Sequence, residues 1–182
     1  MTTKGYTNPE LLWTPEQLSN RLDDPNLALI DVRAASTYAQ GWIPGAVHFD
    51  LFGISSNDTS PKPLAAFMWM VQHLFEQRGV NLDKTVVFYE GIAGMRAARG
   101  FWFLEYFGHT DVHVLDGGFN AWQAAGYPVT TEAPRLREVQ FQPRVQESLI
   151  INADDLHGLL GSGDLGLLDT RTDDEYLAKN VR

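Results

Sequence analysis

The residues best suited to chemistry lie between positions 85 and 107 of the 182-residue sequence. The pattern predicts a strand over Thr85–Tyr89, the loop Glu90-Gly91-Ile92-Ala93-Gly94, and a helix that begins near Met95. Loop amides and a helix N-terminus that point at one spot form a cradle for an anion such as phosphate, sulfonate or a thiolate. The candidate binding residues of this cradle are Gly91, Gly94, Arg96 and Arg99.

Glu90 is the unusual residue of the loop, because a carboxylate at the mouth of an anion cradle takes the anion's place and repels other anions. We predict that this carboxylate turns inward, where it accepts hydrogen bonds from the loop or pairs with Arg96 or Arg99. A plainer interpretation stays open, in which the segment is a tight strand-to-helix turn whose glycines supply positive φ angles. These glycines do not follow the G-x-G-x-x-G order of a dinucleotide site.

Histidine spacing gives no support for a metal site. His109 and His113 are four residues apart, but a turn and a strand separate them, so they do not share a helical face as zinc ligands would. The histidines without companions at ligand spacing are His48, His73 and His157. We therefore predict no metal site.

Composition excludes several classes of function. The chain carries 14 Lys and Arg against 23 Asp and Glu, a net charge of −9, so it lacks the basic surface that nucleic acids and anionic membranes require. The absence of cysteine excludes disulfides, thiolate metal sites and a cysteine nucleophile within these residues. No apolar run approaches the roughly 18 residues of a membrane span, and the first residues do not resemble a signal peptide. We therefore expect a cytoplasmic protein that binds neither nucleic acid nor membrane.

The elements that must position the cradle alternate between strands and helices. Predicted strands cover residues 27–32, 46–49, 85–89 and 112–115. Predicted helices cover residues 15–23, 34–40, 64–78, 95–107 and 119–125, the first of them opened by a capping box at Thr14. Such alternation predicts an α/β fold with a parallel sheet covered by helices on both faces.

The helix over Met95–Phe107 is apolar around most of its circumference. Its apolar residues include Phe101, Trp102, Phe103, Leu104, Tyr106 and Phe107. A helix that is apolar on nearly all sides must be covered on nearly all sides, by the sheet on one face and by a linker, a second domain or another chain on the other. We therefore predict an exposed apolar patch on this helix that residues 151–168 or self-association partly cover.

An internal repeat with a shift of 138 residues divides the chain. The seven identities are Leu18, Leu22, Leu27, Leu29, Asp31, Arg33 and Tyr38, which recur as Leu156, Leu160, Leu165, Leu167, Asp169, Arg171 and Tyr176. Between the copies, residues 131–145 hold prolines and arginines without a helical period, a composition typical of a linker. We predict a first domain over residues 1–130, a linker over 131–148, and a truncated second domain over 149–182 that stops after its first strand.

Two stretches carry a family resemblance. Residues 29–33, Tyr38 and the run Gly41-Trp42-Ile43-Pro44-Gly45-Ala46 resemble the opening signature of rhodanese domains. The run Val114-Leu115-Asp116-Gly117-Gly118, followed by Ala121-Trp122 and residues 126–129, resembles their closing signature. The resemblance covers nearly all of residues 13–130 and implies the rhodanese-like fold.

With the repeat, the chain resembles the front part of a tandem thiosulfate or mercaptopyruvate sulfurtransferase. In such proteins the first copy is commonly silent, and a cysteine of the second copy becomes a persulfide. By this resemblance Glu90 occupies the cysteine position of the first copy, and the corresponding loop of the second copy would fall near position 228, beyond this sequence. The resemblance thus implies a small anionic sulfur donor for the full-length protein, no organic cofactor, and an inactive chain here.

Other interpretations remain open. The Glu90 loop suits a non-catalytic binding module that docks a partner, and its spacing to Arg96 resembles a phosphatase loop that lacks its nucleophile. Asp31 and Arg33 offer an acid and a cation, but in this family an Asp-x-Arg at a strand end looks structural. The repeat favours the sulfurtransferase interpretation, because neither alternative predicts a duplicated unit.

Overall fold

Short apolar runs form the five strands of one parallel sheet in this computed structural model, which describes residues 5–136, 138–163 and 165–179. The strands are β1 (Leu12–Trp13), β2 (Leu27–Asp31), β3 (Val47–His48), β4 (Thr85–Tyr89) and β5 (Val112–Leu115). They lie in the order β1-β5-β4-β2-β3, and every pair is parallel. Strands β2 and β4 are buried on both faces, which is why they consist of nearly continuous apolar runs. The two-residue β1 was not predicted, since it is too short to show periodicity.

Five α-helices accompany this sheet, and two more follow. The helices are α1 (Pro15–Ser19), α2 (Ala35–Tyr38), α3 (Pro61–Glu76), α4 (Met95–Tyr106), α5 (Gly118–Ala124), α6 (Ala153–Leu159) and α7 (Asp173–Tyr176). The capping box at Thr14 is confirmed, because its side chain accepts from the Gln17 amide at 3.2 Å while Gln17 accepts from the Thr14 amide at 2.8 Å. Helix α1 ends at Ser19 rather than Asp23, since the chain turns before β2.

Helices cover the sheet on both faces, as predicted. Helix α4 approaches β4 so closely that a Cβ on Gly100 would lie 2.5 Å from the ring of Phe88. The next residue of β4, Tyr89, packs on the opposite face within the cluster that contains Leu18 of α1 and Trp122 of α5. Alternation along β4 therefore divides the core into two apolar layers.

On α4, Phe101 and Trp102 are half-buried, whereas the other four residues named above are buried, so the apolar face left open is smaller than the predicted patch. The ring of Phe67 of α3 lies 6.1 Å from that of Phe103. The segment after residue 140 covers the other end of the helix: Phe141 is buried 5.6 Å from the ring of Phe107, and the amide of Arg144 donates to the Phe107 carbonyl at 2.8 Å. Part of the helix is therefore covered by a segment of its own unit whose composition resembles a linker.

The chain divides into two compact units, Met1–Leu149 and Ile150–Arg182. In the second unit the expected strand is wrong, because described residues 165–170 form no strand and Leu168 is 84% exposed. A strand requires a neighbour to pair with, and none pairs with this segment within residues 150–163 and 165–179. Residues 1–4, 137, 164 and 180–182, which the predicted domains and linker include, lie outside the described residues.

Candidate functional site

The loop over residues 90–94 lies at the carboxyl end of β4, the edge at which open parallel sheets bind ligands. Helix α4 starts at Met95, with Gly94 in the N-cap position. A glycine has no side chain with which to accept hydrogen bonds from the first-turn amides, so this helix end needs another acceptor.

Glu90 supplies that acceptor. Its Oε1 accepts from the amide of Arg96 at 2.8 Å and from the amide of Ala97 at 3.0 Å, the second and third residues of α4. A Cβ on Gly94 would lie 3.0 Å from the same oxygen, so the loop closes tightly around the carboxylate. The inward orientation of Glu90 is confirmed, although the donors belong to the helix rather than to the loop. The negative charge lies where the helix dipole stabilises it.

The two arginines of the cradle hold a neighbouring segment. Arg96 Nη1 donates to Asp50 Oδ1 at 2.8 Å, and its guanidinium lies 4.6 Å from the ring centre of Phe52. Arg99 Nη2 donates to the Ile54 carbonyl at 2.8 Å, and burial lowers the pKa of this guanidinium. Neither side chain pairs with Glu90, so the charge of the carboxylate is met by backbone amides.

A second helix holds the backbone of the loop. The amide of Phe119 donates to the Glu90 carbonyl at 2.7 Å, and the amide of Asn120 donates to the Gly91 carbonyl at 3.0 Å. Gly118 has a φ of +59°, and a Cβ there would lie 2.5 Å from the Glu90 carbonyl oxygen. Sequence reasoning missed this contact, for which the Gly117-Gly118 pair is the only signal.

Asp31 and Arg33 form the buried pair that their spacing suggests. Arg33 Nη2 lies 2.6 Å from Asp31 Oδ2 and also donates to the Gly41 carbonyl at 2.7 Å. The guanidinium lies 3.8 Å from the ring centre of Phe119, which links the pair to the helix that holds the loop. Burial raises the pKa of the neighbouring Tyr89 hydroxyl, which accepts a hydrogen bond from the Ile43 amide.

A cavity of about 230 Å³ lies beside the loop. Gly91 and Arg33 form part of its wall. The other side chains in the wall are the polar Thr37, Gln40, Asn120 and Gln123 and the apolar Phe119 and Val129. Within the described ranges no group of three or more His, Asp or Glu is arranged to hold a metal ion. Over the same residues, no helix is long and apolar enough to cross a membrane.

The chain is similar to proteins of one family. A family model for the rhodanese-like domain matches residues 14–125. A probable 3-mercaptopyruvate sulfurtransferase of Pseudomonas aeruginosa is 33% identical over 91% of this chain and 63% of its own length. A thiosulfate sulfurtransferase of Azotobacter vinelandii is 30% identical over 97% of this chain and 65% of its own length.

A structural comparison gives the same result. The crystal structure of SseA from Escherichia coli, described as a 3-mercaptopyruvate sulfotransferase with the rhodanese fold, aligns with a TM-score of 0.70 and 26% identity. That alignment covers 82% of this chain and 62% of the SseA chain. The chain thus spans between 62% and 65% of the length of these relatives.

Proposed function

Because this chain belongs to the rhodanese family, we propose that its first unit is the non-catalytic copy of a tandem thiosulfate or mercaptopyruvate sulfurtransferase. The observation that carries the proposal is the Glu90 carboxylate, which is bound to the amides of Arg96 and Ala97 in the place where a cradle of this kind holds an anion. A catalytic copy needs that place for its own thiolate and for the charge that develops during the reaction.

The chemistry of sulfur transfer requires a group that this chain lacks. A cysteine thiolate attacks the outer sulfur of thiosulfate or the sulfur of mercaptopyruvate, forming an S–S bond while sulfite or pyruvate leaves. A thiol or cyanide then takes the outer sulfur and regenerates the thiolate. None of the 182 residues is cysteine. A carboxylate is a poor nucleophile toward sulfur, and its charge repels anionic thiosulfate.

The repeat supports a tandem arrangement. The identities at a shift of 138 residues begin a second copy near Ile151, and the sulfurtransferase relatives are longer than this chain. We assign the nucleophile and the sulfur donor site to that second copy. As the location we propose the cytoplasm, where acceptor thiols are kept reduced.

Two exposed apolar side chains lie at the loop. Ile92, within the loop, is 61% exposed, and Met95, the first residue of α4, is 66% exposed. We propose that self-association of the chain covers these two side chains, because large exposed apolar side chains favour contact with a partner.

The test is thiocyanate formation from cyanide, with thiosulfate and then mercaptopyruvate as the donor. We expect the chain to show no turnover above the uncatalysed rate. Glu90→Cys should give at most a trace, because the loop is shaped around a carboxylate that accepts hydrogen bonds. Glu132→Cys, which places a thiol on an exposed segment, is the matched control for unspecific thiol chemistry. Turnover by the cysteine-free chain would contradict the proposal.

A further inference from the structure

A larger cavity lies near the amino ends of the strands, whereas the Glu90 loop lies at their carboxyl ends. Its volume is about 580 Å³, within the range of small-molecule sites. It is bordered by the first residues of β2, by the turn after α3 and by Lys84 just before β4. Its apolar wall consists of Leu27, Ala28, Leu29, Val47, Leu136 and Val139.

The charge of this cavity is opposite to that of the chain. Its lining holds Arg78, Lys84 and Arg135 against one carboxylate, Glu138, whereas the whole sequence has a net charge of −9. Among the ion pairs of the described residues, none joins these three cations to a carboxylate. The described lining residues therefore carry two more positive charges than negative ones.

The Arg78 side chain is fixed before any ligand arrives. Its Nε donates to the His48 carbonyl at 3.0 Å, its Nη1 donates to the Leu74 carbonyl at 2.7 Å, and its guanidinium lies 4.0 Å from the ring centre of Phe49. These partners are neutral, so they orient the cation without cancelling its charge. Burial lowers the pKa of Arg78, because it removes water from around the charged guanidinium.

Lys84 adds a second oriented cation. Its Nζ donates to the Pro25 carbonyl at 2.8 Å, and an ammonium group has two further protons to offer. Arg135 is exposed at the rim and has no partner among the described residues.

We propose that this cavity binds a small organic dianion, either a phosphate monoester or a dicarboxylate. Arg78, Lys84 and Arg135 bind the anionic groups. The apolar lining residues that keep accessible surface receive the body of the molecule; they are Leu27, Val47, Leu136 and Val139. The excess of two positive charges among the described lining residues matches a dianion, and a ligand without an apolar body leaves those side chains in contact with water. The proposal does not depend on sulfur transfer, since it concerns the opposite ends of the strands.

Calorimetric titration of the whole chain tests the proposal, with phenyl phosphate and phthalate as dianions and phenol as the neutral probe. We expect saturable binding of at least one dianion with a Kd below about 1 mM at low salt, and weaker binding at high salt. The dianion that binds more tightly identifies the ligand class. Phenol should give no saturable heat.

The matched variants separate this cavity from unspecific attraction. Lys84→Gln and Arg135→Gln should each weaken binding about threefold or more, and their combination should weaken it about tenfold. Lys62→Gln and Arg144→Gln remove exposed cations elsewhere and should leave the Kd unchanged. Absence of saturable binding by both dianions, equal binding of phenol, or equal losses in cavity and control variants would overturn the proposal. Circular dichroism confirms that each variant is folded.

Discussion

The two Asp-x-Arg pairs of the molecule have the same internal geometry in opposite environments. In both, the arginine Nη2 lies 2.6 Å from one carboxylate oxygen and Nε lies 3.0 Å from both oxygens. The side chains of Asp31 and Arg33 are 0% and 5% exposed, whereas those of Asp169 and Arg171 are 39% and 56% exposed. The spacing of two residues therefore gives the same hydrogen-bond geometry in both pairs, whereas the burial of the pair depends on the rest of the fold.

The sheet explains why the first pair is buried and the second is exposed. In the first unit, β4 pairs along the whole of β2, and Arg33 gains the Gly41 carbonyl and the Phe119 ring as further partners. In the second unit no described strand pairs with the segment before Asp169, and the further contact of Arg171 is the Tyr176 ring at 5.3 Å. The same motif should therefore contribute much to stability in one copy and little in the other.

The largest expected effect follows from removing one member of each pair. Arg33→Gln leaves the buried Asp31 charge uncompensated and should lower the free energy of unfolding by about 3–5 kcal/mol. Arg171→Gln breaks an exposed pair and should leave the free energy of unfolding almost unchanged, because solvent screens both charges. Urea unfolding followed by circular dichroism measures both values.

A double variant checks the cause of that loss. Asp31→Asn combined with Arg33→Gln removes both charges and should recover part of the stability lost in Arg33→Gln, because the unpaired buried charge is gone. Equal losses for Arg33→Gln and Arg171→Gln would mean that burial does not distinguish the two pairs.

A buried titratable group should make the first unit sensitive to mild acid. His109 donates from Nε2 to the Asn81 carbonyl at 2.9 Å and accepts the Asp111 amide at Nδ1, so it is neutral. Burial lowers the pKa of His109 below 6.5, so the unfolded chain takes up a proton more readily and stability falls as the pH drops below 6.5. His109→Gln should cost about 1–3 kcal/mol at pH 8, and this difference should narrow toward pH 5.

Unfolding curves of the natural chain and of His109→Gln at several pH values measure how the difference in their free energies of unfolding changes with pH. A difference that stays constant from pH 8 to pH 5 would contradict the assigned neutral state of His109.

The smallest effect lies in the second unit. The hydrogen bond from Arg171 lowers the pKa of Asp169 from 3.8 to about 2, so any stabilisation by this pair is present above pH 3.8 and disappears as the pH falls through about 2. In Arg171→Gln the pKa of Asp169 should return toward 3.8. Carboxyl chemical shifts recorded by NMR follow the titration, and an unchanged midpoint would show that the pair does not form in solution.

Much of the fold followed from the sequence because periodicity and cap residues act locally. The bounds of β4 and β5 and the start of α4 at Met95 agree with the predicted ranges. The first strand predicted for the second domain is wrong, because strand formation does not depend on local sequence alone. An apolar run becomes a strand only when other strands pair with it, and no local pattern contains that information.

In the candidate site, too, local features could be predicted from the sequence and long-range contacts could not. The type and position of Glu90 were enough to predict an inward carboxylate, because a helix N-terminus attracts an anion wherever it lies. The partners of Arg96 and Arg99 were not predictable, since Asp50 and Ile54 are distant in sequence and meet these arginines only in the folded chain. The hydrogen bonds from the amides of α5 to the carbonyls of Glu90 and Gly91 likewise form only in the folded chain.

The most direct test of the account asks whether the Glu90 carboxylate fills the anion cradle. Thiosulfate is added to the ¹⁵N-labelled chain at constant ionic strength while NMR follows the amides of Arg96 and Ala97. We predict no saturable shift in the natural chain and a saturable shift in Glu90→Ala, in which both amides lose their acceptor. Saturable shifts of these amides in the natural chain, or none in a folded Glu90→Ala variant, would contradict the account.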